Sequence, residues 1–92
     1  MKSRRDAEAE VKSWGFRTVY TWTDRSDAYY APHTHPGLTT HLILHGKFTV
    51  MYPDDPNPTK NTFGVGARID VAAGRKHEVW IGSDGCTYVI GE

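Results

Sequence analysis

The chain has 92 residues, of which 38% are hydrophobic and 24% charged, and its formal net charge is 0. This length fits a single domain, residues 1–92, with a small core. The balanced charge, without any basic run, gives no reason to expect nucleic acid or a membrane surface as a partner. A single cysteine, Cys86, excludes an internal disulfide framework.

The amino-terminal residues do not look like a secretion signal. Residues 1–5 are basic, but the acidic stretch 6–10 stands where an apolar signal segment would follow. No apolar run in the sequence is long enough for a membrane-spanning helix. We therefore expect a cytoplasmic protein.

One short helix is predicted over residues 6–14. Ala7, Val11 and Trp14 stand at positions i, i+4 and i+7, which makes a narrow apolar stripe along one helix face. Gly15 is suited to end the helix. A helix this short is not stable alone, so we expect its stripe to pack on a sheet.

The sequence after Gly15 predicts a series of short strands. Residues 16–22 are β-branched and aromatic, and residues 28–35 are kept extended by their prolines. His45 and Gly46 predict a tight hairpin turn, because glycine accepts positive φ. Further strands are predicted at 39–45, 47–52, 62–63, 68–71, 77–81 and 86–90, with turns at 24–27 and 82–85 and a surface loop at 53–61. Many short strands separated by turns and loops are typical of an antiparallel sandwich or barrel.

The spacing of the histidines suggests a metal site. His33 and His35 are two residues apart, so on an extended strand their side chains leave the same face. His41 shares a strand face with Thr39, and His77 begins a later strand of alternating residues. If these faces all turn inward, the four histidines can form one site.

Four such imidazoles are suitable ligands for one divalent transition metal ion, whether Zn, Fe, Mn, Ni or Cu. A coordination position left to water or substrate would make the site open and able to support catalysis. The alternative interpretation is that each histidine is an ordinary surface or core residue. His45, at the predicted hairpin, is expected to be solvated, and Cys86 to be a small buried hydrophobe.

Tyrosines near the histidine pair are further candidates. Tyr29 is in phase with His33 and could line the mouth of a pocket as a hydrogen-bond donor or proton carrier, whereas Tyr30 is out of phase. Packing within the barrel is the alternative role for both tyrosines. Glu78 directly follows His77 and is expected to face away from the site.

With these motifs in place, the chain resembles a small single-domain cupin, a member of the jelly-roll β-barrel superfamily. The matching positions are His33, His35 and Gly46 for the first cupin motif, and Gly66, Gly74 and His77 for the second. The resemblance implies an all-β fold, an antiparallel jelly-roll barrel over about residues 16–91, with the short amino-terminal helix outside it.

The sequence departs from the cupin motifs at positions that bear on the chemistry. Thr39 stands where the family has an acidic metal ligand, and His41 follows two residues later on the same strand face. His41 either replaces the carboxylate in an all-histidine site or lines the pocket beside a three-histidine site. Ala72 and Ile81 stand where the second motif has proline and asparagine, and Asp27 stands at the first motif's initial glycine.

The resemblance implies a metal-dependent enzyme of isomerase, lyase or dioxygenase type that acts on a small oxygenated or carboxylated molecule. Without a carboxylate ligand the divalent ion keeps its full charge, which favours anionic or chelating oxygen ligands. His41 and Tyr29 are the candidate catalytic residues. The alternative is a module that binds a small ligand without turnover. Leu42 and Leu44 on the outer strand face require cover, which leads us to expect a homodimer.

Overall fold

A computed structural model describes residues 2–92 of the chain. It contains one helix, α1 (Arg4–Ser13), and six strands: β1 (Val19–Asp24), β2 (Tyr29–His33), β3 (Thr39–Met51), β4 (Asn61–Phe63), β5 (Arg68–Val71) and β6 (His77–Gly91). All strand pairs are antiparallel, in the order β1-β6-β3-β4, with β2 paired to β6 and β5 paired to β3. The predicted all-β jelly-roll barrel with a short amino-terminal helix is confirmed.

The helix α1 begins two residues earlier than predicted because Ser3 caps it. The Ser3 hydroxyl accepts a hydrogen bond from the backbone N–H of Asp6 at 3.1 Å, which satisfies one of the free amides of the first turn. Ala7 and Val11 are fully buried and pack against Leu42 and Val89 on the outside of the sheet. Within residues 2–92, no helix has both the length and the apolar character needed to cross a bilayer.

The strands β3 and β6 run through the whole sheet, and here the predicted hairpin is wrong. His45 and Gly46 lie inside the continuous strand β3, where Gly46 pairs with Cys86 of β6. Gly46 does have a positive φ of 85°, but a Cβ at this position would stand 2.0 Å from the carbonyl oxygen of Gly85. Glycine is therefore required by the close approach of two backbones and not by a turn.

The predicted turn at residues 82–85 is likewise part of a strand. β6 continues through this segment, but its pairing with β3 is irregular there. The segment lies opposite Lys47, between the Gly46–Cys86 and Phe48–Ile81 pairs. Bulges of this kind bend a strand and increase its twist, which helps a sheet to curve into a barrel.

Both faces of β3 are buried over residues 39–43, but the outer face has a different cover from the one expected. Ile43, Phe48 and Val50 point into the barrel core together with Val79, Ile81 and Tyr88. On the outer face Leu42 lies under α1, where a partner subunit was expected. The homodimer stays a prediction, and Leu42 no longer argues for it.

The close approach at Gly46 makes a testable prediction. Gly46→Ala should lower the free energy of unfolding by more than about 2 kcal/mol, because alanine is strained at positive φ and its Cβ overlaps the Gly85 carbonyl. Gly37→Ala is the matched control, since a Cβ there meets nothing within 4 Å. Equal unfolding midpoints in urea for the two variants would contradict this account of the crossing.

Candidate metal centre

Three histidines from two paired strands and the residues beside them meet at one point. His33 ends β2 and His77 begins β6, and the two residues are direct partners in the register of these strands. His35 follows two residues after His33. The ring centroids of His33 and His77 are 4.2 Å apart, and His35 lies 5.0 and 5.1 Å from them. One ligand nitrogen from each of the three residues lies within 4.8 Å of the others.

Backbone carbonyls fix the tautomers of two of these rings. Nδ1 of His33 lies 2.7 Å from the carbonyl oxygen of Ala31, and Nδ1 of His77 lies 3.0 Å from that of Arg75. Because a carbonyl oxygen only accepts, Nδ1 carries the proton and donates it. In the neutral ring Nε2 then keeps its lone pair, which is the arrangement common to metal-binding histidines.

The environment also keeps two of the rings uncharged. Burial lowers the pKa of His35 and of His77 below the ordinary value of 6.5, and the neighbouring histidines add a smaller repulsion in the same direction. The charge of Glu92 opposes this effect weakly at His35. Three nitrogens in this arrangement are a donor set that fits a divalent transition metal.

His41 is not a member of this three-histidine group. Its Nδ1 donates to the carbonyl oxygen of Ile69 at 3.1 Å, and its ring centroid lies 5.2 Å from that of Phe48 and 5.7 Å from that of Tyr88. Burial lowers the pKa of His41 to about 4, so the ring is neutral at pH 7. Of the two roles left open by the sequence, this position favours that of a pocket residue over that of a fourth ligand.

All four histidines line one cavity of about 300 Å³, which is at the small end of ligand pockets. Its other walls are mostly aromatic, with the side chains of Tyr20, Trp22, Tyr30, Phe48 and Tyr88. Glu92, which the sequence analysis did not single out, is the carboxylate among its described lining residues. The backbone of Glu92 is held by two hydrogen bonds with Thr18, at 2.9 and 3.0 Å.

A buried carboxylate behind the cavity orients three of these aromatic residues. Asp24, only 7% exposed, accepts hydrogen bonds from the hydroxyls of Tyr30 and Tyr88 and, at 2.9 Å, from Nε1 of Trp22. Burial and then the Asp24 contact raise the pKa values of both tyrosines. Because both hydroxyl protons go to Asp24, each tyrosine oxygen can act only as an acceptor toward any other group. Sequence reasoning placed Asp24 in a turn and missed this network.

The parity predicted for Tyr29 and Tyr30 is reversed in the structure. The register between β2 and β6 shifts between Tyr30 and His33, and such a shift moves side chains to the opposite face. Tyr30 consequently lines the cavity, whereas Tyr29 is 52% exposed and donates its hydroxyl proton to Glu78. The catalytic role predicted for Tyr29 gains no support from this position.

Two residues expected to stand apart from the site do so. His45 is exposed on β3, and Glu78 contacts Tyr29 on the face away from the cavity. Cys86 is 1% exposed, and burial raises the pKa of its thiol to about 12, so it is not a thiolate at neutral pH.

Comparison with known proteins agrees with this architecture. No family model and no curated protein matches the sequence. Among solved structures, the chain is similar to a cupin-2 domain protein of Shewanella frigidimarina (TM-score 0.65, 15% identity, 80% of this chain and 67% of that one). It is also similar to the polyketide cyclase RemF of Streptomyces resistomycificus (TM-score 0.68, 19% identity, 79% of this chain and 51% of that one). A third similar structure is Drosophila melanogaster CENP-C bound to CAL1 (TM-score 0.67, 10% identity, 78% of this chain and 62% of that one).

These similarities identify the fold. The chain is a cupin-fold barrel, as its sequence motifs indicated, and it spans between 51% and 67% of the length of these three structures. Because the identities are low, the likeness extends to the arrangement of strands and carries no activity over to this chain.

The buried His41 predicts a pH-dependent stability. In the unfolded chain His41 takes up a proton as the pH falls below about 6.5. In the folded chain, where its pKa is about 4, it stays neutral until the pH falls to about 4. The free energy of unfolding should therefore fall by about 2 kcal/mol from this group as the pH drops from about 7.5 to about 5. Urea unfolding of the chelator-treated protein measures the slope, and His41→Asn, which keeps a side-chain N–H donor, should remove this part of it. The same slope in both proteins would contradict the neutral His41.

Proposed function

We propose that the chain binds one divalent transition metal ion through His33, His35 and His77. The observation that carries the proposal is the convergence of three ligand nitrogens within 4.8 Å, with Nδ1 of His33 and His77 held by backbone carbonyls. Burial lowers the pKa values of His35 and His77, so these two rings bind a cation at pH 7 without losing a proton first. The metal can be Zn, Fe, Mn, Ni or Cu.

We propose further that this centre acts on a small oxygenated or carboxylated molecule in the adjoining cavity. A bound divalent ion would supply Lewis-acid polarisation of a ligand oxygen, undiminished by a carboxylate ligand. The residues of the chain supply the rest of the pocket. The Tyr30 and Tyr88 oxygens can act as acceptors toward ligand hydroxyls, and the aromatic walls offer apolar contact to the rest of the ligand.

His41 is the proposed general base of this pocket. Its Nδ1–H is held by the Ile69 carbonyl, so Nε2 is the atom that accepts a proton, and burial, which lowers the pKa of His41 to about 4, makes it a weak base. A base of this kind suits isomerase or lyase chemistry, in which a proton is taken from carbon next to a polarised oxygen. Dioxygenase chemistry at the three-histidine centre is the alternative catalytic function.

The second candidate function is binding of a small ligand without turnover. The small, aromatic cavity supports this function equally, because its described lining offers His41 as the one histidine outside the proposed ligand set. The similar structures include both a cyclase and a protein bound to CAL1, so the fold is compatible with enzymes and with binding modules. A cytoplasmic location and a homodimer stay predictions from the sequence.

Metal content tests the proposed centre directly. Untagged protein should retain one metal ion per chain in mass spectrometry, and alanine at His33, His35 or His77 should weaken binding at least about 10-fold, because each removes a ligand. His45→Ala is the matched control on an exposed histidine, and His41→Asn should also keep the metal. Retention of metal by all three ligand variants, or no metal in protein prepared with and without air, would contradict the proposal.

A further inference from the structure

Two aromatic rings at the mouth of the cavity are open to solvent. Tyr20 and Trp22 alternate along β1 with Asp24, so the three side chains leave the same face of that strand. Asp24 is buried, whereas Tyr20 is 38% exposed and Trp22 is 49% exposed. Because both rings line the cavity and also reach solvent, they stand at its opening, on a strand at the end of the sheet order.

The ring of Trp22 has no partner of the kind that the chain gives to its other tryptophans. Each of those lies under a cation of the chain, the Lys60 ammonium over Trp80 at 4.1 Å and the Arg68 guanidinium over Trp14 at 3.9 Å. Within residues 2–92, no aromatic pair and no cation–π pair includes Tyr20 or Trp22. The hydrogen bond from Nε1 to Asp24 still fixes the Trp22 ring, so an oriented aromatic face is left for a ligand.

Two acidic side chains flank these rings without a basic partner. Glu92 lines the cavity, and Asp24 is buried behind its aromatic wall. No ion pair within residues 2–92 involves either carboxylate, and no lysine or arginine is among the described lining residues. Burial, and then the charge of Glu92, raise the pKa of Tyr20, as expected for a carboxylate near that ring. The mouth therefore has an excess of negative charge.

The hydrogen-bonding groups deeper in the cavity have the same preference. The hydroxyl protons of Tyr30 and Tyr88 go to Asp24, and the Nδ1 proton of His41 goes to the Ile69 carbonyl. The polar atoms that these residues have left are acceptors. Away from the three-histidine group, the cavity is thus better matched to a positive group than to a negative one.

We propose that the mouth of the cavity binds the ammonium group of a small amino alcohol whose hydroxyl oxygen lies at the three-histidine centre. This inference rests on the proposed function, since the metal of that centre is what the oxygen binds. A cation over the face of a tryptophan or tyrosine is attracted by the electrons of the ring, and the Glu92 carboxylate adds a charge attraction. A hydroxyl oxygen reaches the metal without adding negative charge to a cavity that already holds Glu92.

The test compares choline, a quaternary ammonium alcohol, with dimethylbutanol, the uncharged analogue in which carbon replaces the nitrogen. The indole N–H signals of the three tryptophans in a nitrogen–proton correlation spectrum report binding, with Trp14 and Trp80 as internal controls. In the metal-free protein, choline should shift the Trp22 signal and bind at least about 10-fold more tightly than dimethylbutanol, because only choline gains the attraction of the rings and the carboxylate.

Two variants locate the bound cation. Glu92→Gln keeps the size of the side chain and removes its charge, so at low ionic strength choline should bind about 3-fold more weakly or worse. Tyr20→Leu removes one aromatic face and should weaken binding of choline more than that of dimethylbutanol. Glu78→Gln, on a carboxylate that faces away from the cavity, is the matched control and should bind choline as wild type does.

The other end of the ligand is tested with Zn²⁺-loaded protein. There choline should bind at least about 5-fold more tightly than tetramethylammonium, which has no hydroxyl to place at the metal. Equal affinities for these two cations would overturn the placement of the oxygen.

The outcomes distinguish this inference from the proposed function. Failure of the wild-type protein to bind Zn²⁺ would overturn the proposed metal centre, and with it the placement of the ligand oxygen. Binding of Zn²⁺ together with equal affinities for choline and dimethylbutanol, or with unchanged choline binding in Glu92→Gln and Tyr20→Leu, would leave the centre standing and overturn the ammonium site. A Trp22 signal that responds to dilution of the protein and not to choline would also overturn it, by showing that a second copy covers the mouth.

Discussion

The antiparallel pairing of β3 with β6 is the constraint on which the rest of the molecule depends. Along its first half β6 lies between β3 and β2, and along its second half between β3 and β1. The two strands stay paired through the close approach of Gly46 and Gly85, where no side chain fits. Their inner faces then form the barrel core, and their outer faces form the surface that α1 covers.

The candidate site follows from the same pairing. Because β2 is the other neighbour of the first half of β6, His33 and His77 become direct partners, and His35 arrives two residues further on. Backbone carbonyls accept the Nδ1 protons of His33 and His77, and burial lowers the pKa values of His35 and His77. The strand pairing and the desolvation together produce a group of nitrogen donors that is prepared for a cation before one binds.

Local sequence patterns were sufficient to predict most of the fold and, within the site, the three-histidine group. The two-residue spacing of His33 and His35, the spacing of the cupin motifs and the apolar stripe of α1 are local patterns, and each was confirmed in its placement. Where α1 would pack could not be read from its stripe, because Leu42 offered an equally suitable surface to a partner subunit.

The errors come from irregular pairing, which alternation cannot detect. A register shift between Tyr30 and His33 places Tyr30 on the cavity face and Tyr29 on the opposite face, the reverse of the prediction. Register shifts around Gly46 bend the continuous strand β3 at the position where a hairpin turn was predicted. Asp24 was missed for a related reason: its role depends on Tyr88, which is 64 residues away in the sequence. Contacts at that distance are fixed by the closure of the sheet and leave no local signal in the chain.

Anomalous X-ray diffraction from crystals loaded with Co²⁺ or Zn²⁺ tests the central claim most directly. The account predicts one strong peak per chain, at about 2.0–2.1 Å from a ring nitrogen of each of His33, His35 and His77. Nδ1 of His41 should remain bonded to the Ile69 carbonyl in the same crystals. A peak bound by other residues, or fully loaded crystals with no peak between these three rings, would contradict it.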